Sequence, residues 1–189
     1  MRGFLSRFSS GVHLLFERST LWCHATVLVV FSITLTLGFL TSGPAEGTAA
    51  IPRSDRVDPA AFFHIVINNI RVLGLELAGI ATAGFSSLLQ VGWNGFRMGL
   101  LLRQHRFGVV APFVFPHAII EMSALLLGAS TSLNIVVQSI RDGLAGRFSL
   151  IRNLNAIVIP IALCVALLLV AGLIEVFVTP WIASRFLPR

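Results

Sequence analysis

The sequence predicts an all-α fold: a polytopic transmembrane helical bundle with broken or re-entrant helices and an amphipathic N-terminal helix. Three observations carry this reading. Of 189 residues, 56% are hydrophobic and only 12% are charged, against about 45–50% and about 25% in ordinary soluble domains. The apolar residues fall into blocks of about 20, the length an α-helix needs to cross the hydrocarbon core. The charges fall between the blocks. All 14 basic residues are Arg, set in twos and threes as orientation charges are set around membrane spans. A net charge of +6 would admit nucleic acid as a partner, but this scattering forms no basic stripe and excludes it. The length bounds the chain to a single integral membrane domain over residues 1–189.

Each element follows in order. Residues 1–20 carry Arg2, Arg7 and Arg18 with Phe4, Leu5, Phe8, Val12, Leu15 and Phe16 between them. Apolar spacings of three and four predict a helix lying on the cytoplasmic membrane face. Residues 21–40 hold no formal charge and form the first span. The basic start and the small residues at Thr48–Ala50 resemble a secretory signal, but the apolar stretch is long for one. Residues 41–58, with Gly43, Pro44, Gly47, Pro52 and mixed charges, read as an exposed loop. Asp58-Pro59 is a helix start, an N-cap followed by proline at the first helical position.

From residue 60 to 180 a helical bundle is expected. Ala60–Arg71, with Asn68 and Asn69, reads as an amphipathic lead-in to a second span over Val72–Gly92. Gly74, Gly79 and Gly84 give that span a small-residue face that lets backbones approach closely. Trp93-Asn94-Gly95 reads as a tight interfacial turn, and Arg97, Arg103 and Arg106 mark a connection. Val109–Ala129 is the third block, interrupted by Pro112 and Pro116. Thr131–Asn153 reads as an amphipathic interfacial helix or a partly re-entrant one. Leu154–Val178 is the fourth block and contains Pro160. The first three arginines place the N-terminus in the cytoplasm, and the Arg97–Arg106 group is expected on that side again. Four simple spans would put Arg141, Arg147 and Arg152 outside, so a fifth crossing or a re-entrant pair is expected, giving four to six crossings in all.

Three carboxylates, Glu76, Glu121 and Glu175, interrupt apolar blocks. An ionisable group in a bilayer faces a bundle interior, a cavity or a partner. Glu76 and Glu175 are expected near helix ends, each paired with an Arg. Glu121 lies well inside its block with His117 four residues earlier on the same helical face. Pro112 and Pro116 each remove a backbone hydrogen bond just before it. His117 is a candidate donor to the freed carbonyls, with Glu121 fixing its tautomer. The pair is either this structural lock or a proton or ligand site. His-x-x-x-Glu lacks the second His of a zincin motif, so no metal and no cofactor is expected. Without a nucleophile elbow, an Asp pair or a phosphate loop, no catalytic residue is assigned and no enzyme is expected. Cys23 and Cys164 each lie in an apolar run and read as small buried hydrophobes.

Several of these segments stand in a familiar order. Asn68-Asn69 precedes a glycine-rich stretch, and Asn94-Gly95 is followed by Gly99. Phe115-Pro116-His117-Ala118-Ile119-Ile120-Glu121 comes next, and then Ala171-Gly172-Leu173-Ile174-Glu175-Val176-Phe177-Val178-Thr179-Pro180. From Asn68 to Pro180 the chain resembles the stage II sporulation protein M family of integral membrane proteins. Ala118 stands where glycine often follows the histidine in that family. The resemblance implies a non-enzymatic component of the bacterial cytoplasmic membrane, in contact with lipid and assembled as a homo- or hetero-oligomer. It implies a scaffold for cell-envelope (peptidoglycan) remodelling factors or other membrane proteins. The alternative it implies is the membrane subunit of an exporter or permease working with a separate ATPase.

Overall fold

The computed structural model describes residues 18–43, 59–105, 107–146 and 150–186. The amphipathic helix expected over residues 1–20 lies outside these up to residue 17. So do residues 44–58 of the expected loop, together with Arg106 and Arg147. Among the described residues the chain is helical, joined by short turns, and the all-α expectation holds.

α1 (Arg18–Thr41) is the first span, as expected. Its hydroxyls return to their own backbone. Thr26, Thr34, Thr36 and Thr41 each donate to the carbonyl one turn earlier at 2.8–2.9 Å, which satisfies them where lipid offers no partner. α2 (Pro59–Leu77) starts on the proline, whose missing N–H costs nothing at that position.

The structure corrects the span expected over Val72–Gly92. The segment long and apolar enough to cross is Ala60–Ile80, so Ala60–Arg71 belongs to the span instead of leading into it. The chain then turns back through a 3-10 segment, Ala78–Ile80, and two left-handed residues, Ala83 (φ 52°) and Gly84 (φ 90°). α3 (Phe85–Gln104) runs the other way. Ser86 and Ser87 donate back across this hairpin to the carbonyls of Leu75 and Glu76, each at 2.5 Å. Gly79 makes the closure possible, because a Cβ there would meet the hydroxyls of Ser87 and Ser132. The apolar block was real, but two antiparallel arms share it. The Asn94-Gly95 turn is corrected for the same reason. Both residues lie inside α3, and Gly95 serves close helix approach.

α4 (Phe107–Leu144) is one helix of 38 residues that contains Pro112 and Pro116 without a break. The re-entrant break expected at these prolines is therefore absent. Most of the interfacial helix expected over Thr131–Asn153 is the second half of α4. Its polar residues Thr131, Ser132 and Asn134 are buried, so they face other helices and not water. α5 (Leu150–Leu173) holds a buried Pro160, passes through a π-helical turn, Ile174–Val178, and continues as α6 (Thr179–Phe186).

Side-chain partners fix the topology. Val27 of α1, Val91 of α3 and Ala129 of α4 share one buried cluster. Farther along, Gly99 lies against Leu35 and Phe39, and the Arg103 guanidinium stands 5.2 Å from the Phe39 ring. α1 and α3 are thus parallel, and α2 runs against both. Gly84 meets Leu133, while Gly172 meets Val66 and Phe62, so α4 opposes α3 and α5 opposes α4. The start of α1, the hairpin, the end of α4 and the start of α5 share one end of the bundle. The other end holds the end of α1, the starts of α2 and α4, and α6. Four helices are long and apolar enough to cross a membrane; α3, 20 residues long, is not one of them but adds a fifth traverse of the bundle.

That fifth traverse brings Arg141 to the end where α1 starts, close to Cys23. It also corrects the expected side of Arg103. Three traverses precede Arg103, not two, so it lies opposite the start of α1. The second buried cluster, Leu73, Ala124, Leu125, Cys164 and Leu168, joins α2, α4 and α5. Cys23 and Cys164 are free and buried, as expected.

Candidate functional site

Near the middle of the α2 span, three segments bring ionisable groups together. α4 presents His117 and Glu121 one turn apart on one face. The π-helical turn presents Glu175, and α6 presents Thr179 four residues later. A π-turn widens the helix by one residue per turn and is found often at functional sites.

His117 Nδ1 lies 3.4 Å from Thr179 Oγ1, and its Nε2 lies 3.9 Å from Glu175 Oε2. Glu121 accepts a hydrogen bond from Asn69 of α2, a side chain only 5% exposed. One donor atom from each of His117, Glu121 and Glu175 lies within 4.8 Å of the others. The His117–Glu121 pair is thus part of a larger group. The structure gives His117 Thr179 and Glu175 as partners in place of a carbonyl freed by proline. It also corrects Glu175, whose ion-pair partner among the described residues is His117 and not an Arg.

Glu76 is the second correction. It does lie near a helix end, one residue before the last of α2, but the expected Arg partner is absent among the described residues. It is fully buried, and neither carboxylate oxygen has a hydrogen-bond partner. Oε2 stands where a Cβ on Gly128 would meet it, in the core beside Leu73 and Cys164.

Several polar features were not foreseen. Ser87 and Ser132 pair at 2.9 Å in the buried interior. A cavity of about 620 Å³ opens between α2, α3 and α4, lined in part by Asn69, Gln90, Asn94, Arg97, Gln104 and Glu121. The Asn94 amide nitrogen is buried there without a partner. His64, Asn68 and Arg71 are exposed along α2 at spacings of four and three, and Arg97 is exposed on α3; Asn68 and Arg97 stand at the rim of the same cavity. The spacing on α2 was visible in the sequence. Reading Ala60–Arg71 as a lead-in to the span hid its meaning.

Long apolar helices, a polar interior and a hairpin between two traverses define a multi-pass helical membrane protein. The description of the Stage II sporulation protein M family matches residues 27–180, which includes every residue of the His117 group. The chain belongs to that family. It is also similar to an uncharacterized protein of Methanocaldococcus jannaschii, 27% identical over 183 residues that cover 85% of this chain and 95% of that one. No solved structure matches.

Proposed function

We propose that this protein is a non-enzymatic membrane scaffold that assembles partner proteins at the bacterial cytoplasmic membrane, cell-envelope remodelling factors among them. Its N-terminus lies on the cytoplasmic side. The observation that carries this reading is the exposed polar stripe His64, Asn68 and Arg71 on α2, inside the Ala60–Ile80 span. Spacings of four and three put the three side chains on one face. Lipid tails hydrogen-bond none of them, and a charge at the centre of a spanning helix costs about 2.5–3.5 kcal/mol on insertion scales. Another protein segment laid along the stripe removes that cost, because polar side chains join helices across a membrane interface. The basic residues before the first span support the orientation.

The test is a photo-cross-linking residue at Asn68 in native membranes. A discrete protein adduct is expected, and Arg71→Leu should weaken it without altering the yield of folded protein. Adducts with lipid alone would sink the scaffold reading.

One observation favours the exporter-subunit alternative: the polar cavity beside Glu121, of a kind transporters build near the bilayer midplane. Capture of an ATPase at Asn68, with ATP-driven solute movement in proteoliposomes, would decide for it.

A further inference from the structure

The three donors of the His117 group face one another from two separate segments. Where Thr179 accepts from Nδ1–H, Nε2 carries the lone pair and points toward Glu175. A hydrogen bond on one ring nitrogen that fixes the tautomer and aims the other is the usual outer-shell support of a metal-binding imidazole. Asn69 does the same for Glu121. The supporting residues Asn69 and Thr179 are the most buried members, each 5% exposed. The ligand atoms they hold open toward a common centre.

Charge leads to the same place. Two carboxyls and an imidazole lie within 4.8 Å, and in their ionised, ligating forms the carboxyls carry two negative charges inside a membrane-embedded bundle. Among the described residues no Arg pairs with either carboxylate, and the nearest basic group is His117 itself, 3.9 Å from Glu175. A divalent cation neutralises such a set fully. We propose that His117, Glu121 and Glu175 form the binding site for one divalent transition-metal cation, with Asn69 and Thr179 as positioning residues.

The donors select the class of ion. Imidazole suits zinc, iron, nickel and copper, carboxylates suit harder ions, and a mixed set of one nitrogen and two oxygens fits Zn²⁺ or Mn²⁺. Bonds of about 2.0–2.2 Å require all three donors to close around the ion, His117 Nε2 and the Glu175 oxygen from 3.9 Å and the widest pair from as much as 4.8 Å, by rotation of the side chains. Three protein ligands leave a coordination position open. The cavity that reaches Glu121 gives the ion a path in. Once bound, the ion ties α4 to the π-turn between α5 and α6. Cation binding is independent of which partner the bundle holds.

The test uses the full chain, purified in mild detergent, stripped with a chelator, and titrated with ZnCl₂ and MnCl₂ by calorimetry. One ion per chain and a higher melting temperature are expected. Glu121→Gln and Glu175→Gln keep the side-chain shape and should abolish stoichiometric binding. Thr179→Val should weaken it about 10-fold or more, as loss of an outer-shell partner does. Glu76→Gln, a carboxylate outside the group, should bind like the parent. Wild-type affinity in both Glu→Gln variants, or equal loss in Glu76→Gln, overturns the site. Should a variant fail to fold, pulsed EPR of the parent loaded with Mn²⁺ decides, with coupling to an imidazole nitrogen expected. A spectrum without that coupling overturns the proposal.

Discussion

The α1–α3 seam and the interior shared by α2, α4 and α5 join helices in opposite ways. In the seam, glycines do the work. A Cβ on Gly38 would strike the Phe96 carbonyl, one on Gly95 the Phe31 carbonyl, and one on Gly99 the Leu35 carbonyl. The two backbones touch, and the attraction is dispersion between closely fitted surfaces. In the interior, buried polar groups meet instead: Asn69 with Glu121, His117 with Glu175 and Thr179, and Ser87 with Ser132. At these three glycines the seam tolerates no added atom. The polar interior tolerates shape changes better than it tolerates the loss of a partner.

The largest expected effect follows from the seam. Gly99→Val places a branched side chain against the Leu35 carbonyl and the Phe39 amide. Neither is a flexible side chain that can swing aside, so the helices must separate. Overpacking of this kind costs about 3 kcal/mol, read as a lower midpoint in a denaturant titration of the detergent-solubilised protein. Gly92→Ala is the control within the same seam. Its Cβ would lie 3.4 Å from Thr34 Cγ2, an ordinary contact, and little change is expected. Equal stability for the two variants would show that backbone contact is not what holds α1 to α3.

A smaller effect of opposite sign distinguishes the two kinds of buried carboxylate. Glu121 has Asn69 and Glu175 has His117, but neither oxygen of Glu76 has a partner. An unsatisfied buried polar group costs about 1–3 kcal/mol. Replacing it with an apolar side chain of similar length removes that cost. Glu76→Met is therefore expected to raise the melting temperature, whereas Glu121→Met leaves Asn69 unpaired and should lower it. A lower melting temperature for Glu76→Met would mean that the carboxyl has a bound partner in the membrane.

The sequence displayed one of these regions more openly than the other. Block length made α1 and the helical class legible, because a bilayer imposes length on any helix that crosses it. The i, i+4 spacing of His117 and Glu121 was equally legible, since one helix sets it. Glu175 and Thr179 lie 54 residues or more along the chain from Glu121, and no local pattern announces that a π-turn will carry them there. The hairpin at Ala81–Gly84 escaped because its residues are apolar or small, like a span that packs closely. Hydropathy could not separate one traverse from two half-shared ones. Pro112 and Pro116 misled in the other direction. In water a mid-helix proline ends most helices, but inside a membrane bundle neighbouring helices can re-satisfy the freed carbonyls, and α4 continues.

The hairpin is also where the two regions join, since it is the covalent link between α2 on the polar side and α3 in the seam. Ala83 holds φ at 52° and Gly84 at 90°. A left-handed backbone costs an L-residue roughly 1–2 kcal/mol, and glycine avoids most of that cost. Ala83 is exposed, so Ala83→Gly removes strain without opening a cavity, while the unfolded chain gains some freedom. The net gain is expected to be about 0.5 kcal/mol. Gly84→Ala should lose more than that, because its Cβ also meets Leu133 Cδ2 at 2.5 Å. The readout that sharpens the comparison is local. Hydrogen exchange of the Phe85 amide, which donates to the Thr82 carbonyl at 3.0 Å, should slow in Ala83→Gly and quicken in Gly84→Ala. If exchange at the far end of α3, around Gly99, follows in the same direction, seam and interior unfold as one unit. If only the hairpin responds, the glycine seam holds α1 and α3 together independently of the polar interior.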